Sequence, residues 1–282
     1  MVRLRGSAAS ARQAHTIVLK LGGELLERAS DIHRIARAIA DLSARVRLVV
    51  VHGGGKEIDR ALAVAGIPKV QVDGLRVTDS ATLEVVVAVL AGAINTRLVA
   101  AVRAAGARPV GLTGADAGVT SVRRAAPLTA TSGEKVDLGL VGSPVNNGAP
   151  QLLTDLLQKQ YVPVIACIGA AKSGQLLNVN ADTLAAHLAV ELNAARLIIA
   201  GGTSGVLDEG GATIGRMSAR DAARLIKAGT ANKGMVAKLE ACRRALRGGV
   251  HEVLVVNGRE ADLGLLHRPV GRAAASALTV IA

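Results

Sequence analysis

Three apolar, strand-like runs in this sequence end in glycines, and the first also carries a lysine. Thr16–Gly23 reads TIVLKLGG, delivering Lys20 and then Gly22 and Gly23 to one sheet edge. Leu48–Val51 feeds into His52-Gly53-Gly54-Gly55, and Arg196–Ala200 into Gly201-Gly202-Thr203-Ser204-Gly205. Glycines let main-chain N–H groups approach an anion, and a lysine supplies a point charge, which is the equipment of a phosphate-handling site. With 32 glycines among 282 residues, the worth of each loop depends on what stands beside it. His52 reads as a structural residue at a strand end rather than as a base or ligand.

Further polar groups gather later in the chain. Asn178, Asn180 and Asp182 alternate in the extended stretch Gln175–Asp182, so two or three of them can share a face; the alternative is that Asn180 or Asp182 caps the helix that follows. Arg76 sits near the tip of a small hairpin within Val70–Asp79, where a planar guanidinium can grip a carboxylate through paired hydrogen bonds. Lys238, with Lys233 beside it, is expected in the first turn of a helix. Positive charge there opposes the helix dipole and calls for solvent or an anion.

The elements that must position these groups alternate between strands and helices. Helices are expected over about Asp31–Arg45, Lys56–Ala65, Ser80–Ala105, Pro150–Lys159, Asp182–Leu192, Ser218–Ala228 and Lys233–Arg247. The first of these carries Ile32, Ile35, Ile39 and Leu42 on one face. Strands are expected at Pro109–Thr113, Val162–Ile168, Glu252–Val256 and Leu278–Ile281, besides the three glycine-terminated runs. Residues Thr120–Gly142 read as short strands and turns. Such alternation with short connections implies an α/β sheet covered by helices, with ligands at the carboxyl ends of the strands, where the glycine loops lie.

Composition narrows the class. Half of the chain is apolar and 20% is charged, as in a globular protein. Phe and Trp are absent and Tyr161 is the sole aromatic residue, so the core must be aliphatic. The net charge of +12 comes from Arg and Lys scattered over helices without a dense run. Together with the lack of stacking aromatics this argues against nucleic-acid binding and favours an anionic substrate. The longest apolar run, Val85–Ile94, is too short to suggest a membrane span. Cys167 and Cys242 give neither a disulfide framework nor metal-ligand spacing, which fits a reduced, cytoplasmic protein. Residues 1–15, with Arg3, Arg5 and Arg12 and no acid, read as a basic tail.

Taken in order, KLGG (Lys20–Gly23), HGGG (His52–Gly55), GLRVTD (Gly74–Asp79), VDLGLVG (Val136–Gly142), NVNAD (Asn178–Asp182) and KGMVAK (Lys233–Lys238) resemble the amino-acid kinase family from about Thr16 to the last strand. GLRVTD and NVNAD resemble the branch that phosphorylates N-acetyl-L-glutamate. The resemblance implies a three-layer αβα sandwich around a mainly parallel open sheet, with an amino-acid-binding and dimerising lobe at 16–172 and an ATP-binding lobe at 173–282. It implies transfer of the ATP γ-phosphoryl group to the side-chain carboxylate of N-acetyl-L-glutamate, in arginine biosynthesis. By carry-over, Lys20 and Lys238 flank the transferring group and Asp182 holds both ammonium groups. Gly22, Gly23 and Gly54 offer backbone N–H groups to the phosphoryl oxygens. Gly53, Gly54, Gly55, Arg76, Asn178 and Asn180 bind the amino-acid substrate. Gly201, Gly202, Thr203, Gly205, Lys233, Gly234 and Met235 serve ATP, and Mg²⁺ is held mainly through the nucleotide phosphates.

The chain departs from the family where a Ser/Thr-Asp-Val-Pro/Ser-Gly segment is common, since Gly201–Gly205 carries no aspartate. Relatives inhibited by arginine carry a longer N-terminal helix that joins dimers into a hexamer, so a dimer without that control is expected here. Two other readings stand beside the first. One is a kinase for a related acylated or carrier-linked amino-dicarboxylate of the aminoadipate type. The other is a catalytically silent regulatory protein on the same scaffold.

Overall fold

The computed structural model describes residues 15–130, 133–228, 233–270 and 278–282. All but the last residue of the expected basic tail lies outside these. The first half contains β1 (Thr16–Leu21), α1 (Ala29–Ser43), β2 (Arg47–His52), α2 (Gly55–Val64), β3 (Gln71–Val72), β4 (Leu75–Arg76), α3 (Ser80–Val87), α4 (Asn95–Ala104) and β5 (Pro109–Thr113). Next come β6 (Val122–Arg124), β7 (Leu128–Thr129), β8 (Lys135–Val136), β9 (Val141–Pro144), α5 (Gln151–Gln158), β10 (Val162–Ala166), β11 (Ile168–Ala170) and β12 (Leu176–Val179). The last part holds α6 (Ala181–Glu191), β13 (Arg196–Gly201), β14 (Arg216–Met217), α7 (Ala219–Ala228), α8 (Lys233–Arg247), β15 (Glu252–Asn257) and β16 (Leu278–Ile281).

Eight strands form one sheet in the order β14-β16-β15-β13-β1-β2-β10-β5, parallel throughout except for the β15–β16 pair. The aliphatic runs explain its centre: every residue of β1 and β13 is buried, as continuous apolar strands require when both faces are covered. The fold is a three-layer αβα sandwich. In α1, Ile32, Ile35, Ile39 and Leu42 are buried at helical spacing and α1 packs on α4, while α6, α7 and α8 pack together elsewhere on the sheet. The core is built mainly from Leu, Ile, Val and Ala, with Met217, Met235, Cys167 and Cys242 among them. Tyr161 stands under the Arg108 guanidinium, 4.0 Å from ring centroid to Cζ.

A smaller sheet, β11-β12-β9-β6, and the hairpins β3–β4 and β7–β8 stand over the carboxyl edge. The expected strand Val162–Ile168 is two strands in two sheets. It breaks at Cys167, whose thiol donates to the His52 carbonyl at 2.8 Å. The hairpin tip at Asp73-Gly74 has φ of 49° and 80°, the left-handed pair that a tight two-residue turn needs.

The helix expected over Ser80–Ala105 is continuous, capped by the Asp79 carboxylate on the Thr82 N–H, but its middle, Ala88–Ile94, is π-helical. By length and composition it could cross a membrane, which the shorter apolar run in the sequence does not suggest. The helix simply continues through Glu84 and Asn95. In this fold it packs on α1, α2, β5, β10 and β12.

Candidate active site

The three glycine loops meet because β1 lies between β2 and β13. In register, Leu21 pairs with His52 on one side and with Ala200 on the other, so all three strands stop at one level. The loops are then tied across: Gly22 N–H donates to Ala200 O at 2.8 Å, and Gly53 N–H to Leu21 O at 3.0 Å. A Cβ on Gly23 would stand 2.7 Å from Gly54 Cα and 2.9 Å from Gly54 N, so these loops touch backbone to backbone and admit no side chain there. Behind Gly54 stand Ile94 and Leu90 of the π-helical segment, 2.3 and 2.8 Å from where its Cβ would be. The packing of Ile94 and Leu90 thus sets the position of one backbone N–H.

Beneath the loops, His52 is buried and neutral, its pKa lowered to about 4 by burial, against a weak opposing contact with Gly53 O. Asn95 Nδ2 lies 3.1 Å from His52 Nε2 and also donates to Val164 O at 2.9 Å. With the Asn95 amide assigned as donor, Nε2 accepts and the proton sits on Nδ1. The residue is structural, as its place at a strand end implies.

Lys20, Asp182 and Lys238 come together. Asp182 Oδ1 lies 2.8 Å from Lys20 Nζ, and Oδ2 lies 3.9 Å from Lys238 Nζ. Side-chain exposure is 6% for Lys20, 7% for Asp182 and 21% for Lys238, so the carboxylate sits among protein atoms between two ammonium groups. Oδ1 has the ionic contact but no well-aligned hydrogen bond among the described residues. Burial by itself would lower the Lys20 pKa; the Asp182 charge and contact outweigh it and raise it. Burial would raise the Asp182 pKa, and Lys20 and Lys238 together hold it down. Lys20 and Asp182 are therefore both charged across the neutral range. Asp182 also stands in the first turn of α6, where the helix dipole favours a negative charge.

The polar triplet before α6 divides its work. Asn180 is the N-cap, its side chain accepting from Thr183 N–H at 3.0 Å, so the capping alternative holds for that residue. Asn178, on β12, donates through Nδ2 to Thr78 Oγ1 at 3.2 Å. Arg76, on β4, is clamped through Nη2 by Asp59 and by Gly55 O, while its Nη1 is buried with no hydrogen-bond partner among the described residues. Asp59 is shared with Lys69 Nζ at 2.6 Å, and the two cations hold its carboxyl below the usual range against burial. A cleft of about 230 Å³ brings Lys20, Asp182, Gly23, Gly54, Arg76 and Asn178 onto one wall system, with Gly22, Gly53, Gly55 and Asn180 also on its lining.

The residues expected to serve a nucleotide are more scattered. Gly201 and Gly202 reach the cleft's edge: a Cβ on Gly201 would lie 3.2 Å from Glu24 Oε1 and 3.7 Å from Lys238 Cε. Thr203 is exposed nearby. Gly205 is turned away, buried with φ of 105° and packed on Thr279 and Thr213, so its role is close packing. Met235 is buried in the core rather than facing the cleft. Lys233 opens α8 with Gly234 after it, and Lys238 falls in the second turn rather than the first, because the helix begins at Lys233.

Two carboxylates at this site have no signature in the sequence. Asp59 looks like any polar residue on an amphipathic helix. Glu24 looks like an acid in a first helical turn, yet its Oε1 accepts the Gly202 N–H at 2.9 Å across the two loops.

Bare backbone and paired ammonium groups at the carboxyl ends of parallel strands mark the class of phosphate-binding α/β proteins. Within that class the chain belongs to the amino acid kinase family, whose sequence profile matches residues 15–257. It is 39% identical over 249 residues to an acetylglutamate kinase of Bradyrhizobium diazoefficiens, covering 86% of this chain and 84% of that one. An acetylglutamate kinase of Rhodospirillum centenum is 41% identical over 249 residues, with 86% and 81% covered. Among solved structures, N-acetylglutamate synthase from Neisseria gonorrhoeae, complexed with coenzyme A and N-acetyl-glutamate, superposes with a TM-score of 0.79 at 27% identity. That match covers 96% of this chain and 60% of the longer synthase chain.

Proposed function

We propose that this protein transfers the γ-phosphoryl group of ATP to the side-chain carboxylate of N-acetyl-L-glutamate, making an acyl phosphate in arginine biosynthesis. The observation that carries the reading is the Lys20–Asp182–Lys238 triad beside the glycine loops; the names of the relatives supply the substrate. A carboxylate is ionised near pH 7, so its attack on phosphorus needs no general base. One carboxylate oxygen bonds to the γ-phosphorus as the bond to the β-phosphate bridging oxygen breaks, and ADP leaves. The obstacle is that two anions must meet while charge moves toward the leaving group. Catalysis is then positioning and charge neutralisation.

The roles follow from that demand. Lys20 and Lys238 flank the group in flight, and Asp182 holds both ammonium groups in place. Gly23 and Gly54 donate backbone N–H bonds to the phosphoryl oxygens, whereas the Gly22 N–H, expected to join them, is taken by Ala200 O. Arg76, through its unpartnered Nη1, and Asn178 take the α-carboxylate end of the amino acid, with Gly53, Gly55 and Asn180 around it. Gly201, Gly202, Thr203, Lys233 and Gly234 are assigned to the nucleotide. Side chains are excluded at Gly22, Gly23 and Gly54, where a Cβ would meet the Glu24 carboxylate, the Gly54 backbone or Ile94, so bare backbone is left to face phosphates together with their cation. Mg²⁺, when bound through those phosphates, neutralises charge developing on the β–γ bridge.

The amino-acid half is residues 16–172 and the ATP half 173–282, with the β11–β12 hairpin crossing between them. The protein works in the cytoplasm as a homodimer. The silent-protein reading rests on Gly202 standing where relatives have an aspartate; the complete triad speaks against it. ADP release measured with N-acetyl-L-glutamate, N-acetyl-L-aminoadipate and no acceptor tests the substrate. Activity confined to the longer homologue would move the protein to the aminoadipate type, and acceptor-independent ADP release only would remove the proposal.

A further inference from the structure

Glu24 is a charged group in the wrong place for a phosphate site. Its carboxylate lies between the Gly22–Gly23 and Gly201–Gly202 loops. Oε1 accepts from Gly202 N–H at 2.9 Å, and both oxygens lie 2.5 Å from where a Gly22 Cβ would be. Its backbone is fixed by Arg259, whose Nη2 donates to Glu24 O at 2.6 Å and whose Nε reaches Asp31 at 3.3 Å. The side chain is thus presented to the loops by a braced segment. Against the lowering effect of burial, and after the larger influence of Asp182, its charge helps to raise the Lys20 pKa.

Among the described residues no lysine or arginine is in ion-pair contact with Glu24, because both site lysines are committed to Asp182. A phosphate chain entering between these loops meets a carboxylate that has Lys20 and the Arg259 guanidinium in its neighbourhood but no ion-pair partner among the described residues. Two anions at such range repel, unless a cation stands between them. A hard divalent ion that takes phosphate oxygens together with one or two protein carboxylates is the chemistry that turns this repulsion into attraction.

On the reading of the site as an ATP phosphotransferase, we infer that Glu24 is the protein's own carboxylate ligand, direct or through one water, for the divalent cation that accompanies the nucleotide. The cation is then held from two sides: by the phosphates and by the turn after β1. The Gly201–Gly202 loop, which carries no acid of its own, receives its negative charge from across the cleft.

The test compares binding of AMP-PNP with and without Mg²⁺ by calorimetry, in the wild-type chain, Glu24→Gln and Glu24→Asp, with the Mn²⁺–AMP-PNP complex followed by electron paramagnetic resonance. Glutamine keeps an oxygen for Gly202 N–H, so the loop contact survives. The expected result is a wild-type preference for the metal complex of tenfold or more that collapses toward unity in Glu24→Gln. That variant binds metal-free nucleotide as well as or better than wild type, has an altered Mn²⁺ signal, and Glu24→Asp falls between. Equal weakening of both nucleotide forms would make Glu24 a loop clamp and overturn the inference, as would an unchanged metal preference. Absence of any nucleotide binding by the wild-type chain would overturn the phosphotransferase reading itself.

Discussion

Replacing Asp182 by asparagine removes the charge shared by two ammonium groups, and its cost can be worked from the distances. At an effective dielectric of about 20, unit charges 2.8 Å apart attract by roughly 6 kcal/mol and charges 3.9 Å apart by roughly 4 kcal/mol. Most of that is offset, because Lys20 and Asp182 are both nearly dry and each loses several kcal/mol of hydration on burial. The net effect of stranding Lys20 unpaired is a loss of about 3–5 kcal/mol, a large share of a typical total of about 5–15 kcal/mol. Equilibrium urea unfolding of Asp182→Asn, Lys20→Met and the double variant reads it directly. The double variant leaves no stranded charge at that contact and should be more stable than the sum of the singles implies, by about 1–3 kcal/mol. Additivity within about 0.5 kcal/mol would refute the account of the pair. The sign with pH also follows. Asp182, with a lowered pKa, contributes stability that is present above its ordinary 3.8 and lost as pH falls through the folded value. Lys20, with a raised pKa, contributes stability that is present below its ordinary 10.5 and lost as pH rises through the folded value. Between those limits the pair's contribution is flat.

Lys20→Ala and Lys238→Ala should lose turnover by roughly 10²-fold or more in steady-state assays, as expected when a transition-state charge contact is removed. Arg76→Ala should chiefly raise the KM for the amino-acid substrate, and Asp59→Asn, by freeing Arg76 to turn, should do the same to a smaller degree, with kcat in both near wild type and Asp59→Glu restoring part of the loss. His52 resists protonation down to about pH 4, while the unfolded chain takes up the proton near 6.5. Stability should therefore fall as pH drops between those values, with His52 contributing a slope of about 1.4 kcal/mol per unit that disappears in His52→Gln urea titrations.

Much of this was readable from residue types because the device is local. An apolar run ending in Lys-Leu-Gly-Gly, or in His-Gly-Gly-Gly, defines strand, loop and direction together, and the observed sheet joins those loops at one level. What stayed hidden depends on contacts between distant residues. The π-helical segment Ala88–Ile94 lies in an all-apolar run where no polar residue marks the period, and it seats Leu90 and Ile94 behind Gly54. Cys167 breaks a run that reads as one strand because its neighbours pair in different sheets. Asp59 and Glu24 act through partners 17 and 178 residues away, a relation that spacing along one helix or turn does not encode.

Acyl-phosphate trapping bears most directly on the claim that Lys20, Lys238 and the glycine loops transfer phosphoryl to a carboxylate. With MgATP, N-acetyl-L-glutamate and hydroxylamine, a hydroxamate should accumulate in step with ADP. It depends on the acetylated amino acid and falls by roughly 10²-fold in Lys238→Ala. A wild-type protein that binds ATP and N-acetyl-L-glutamate yet yields no hydroxamate above the protein-free control would contradict it.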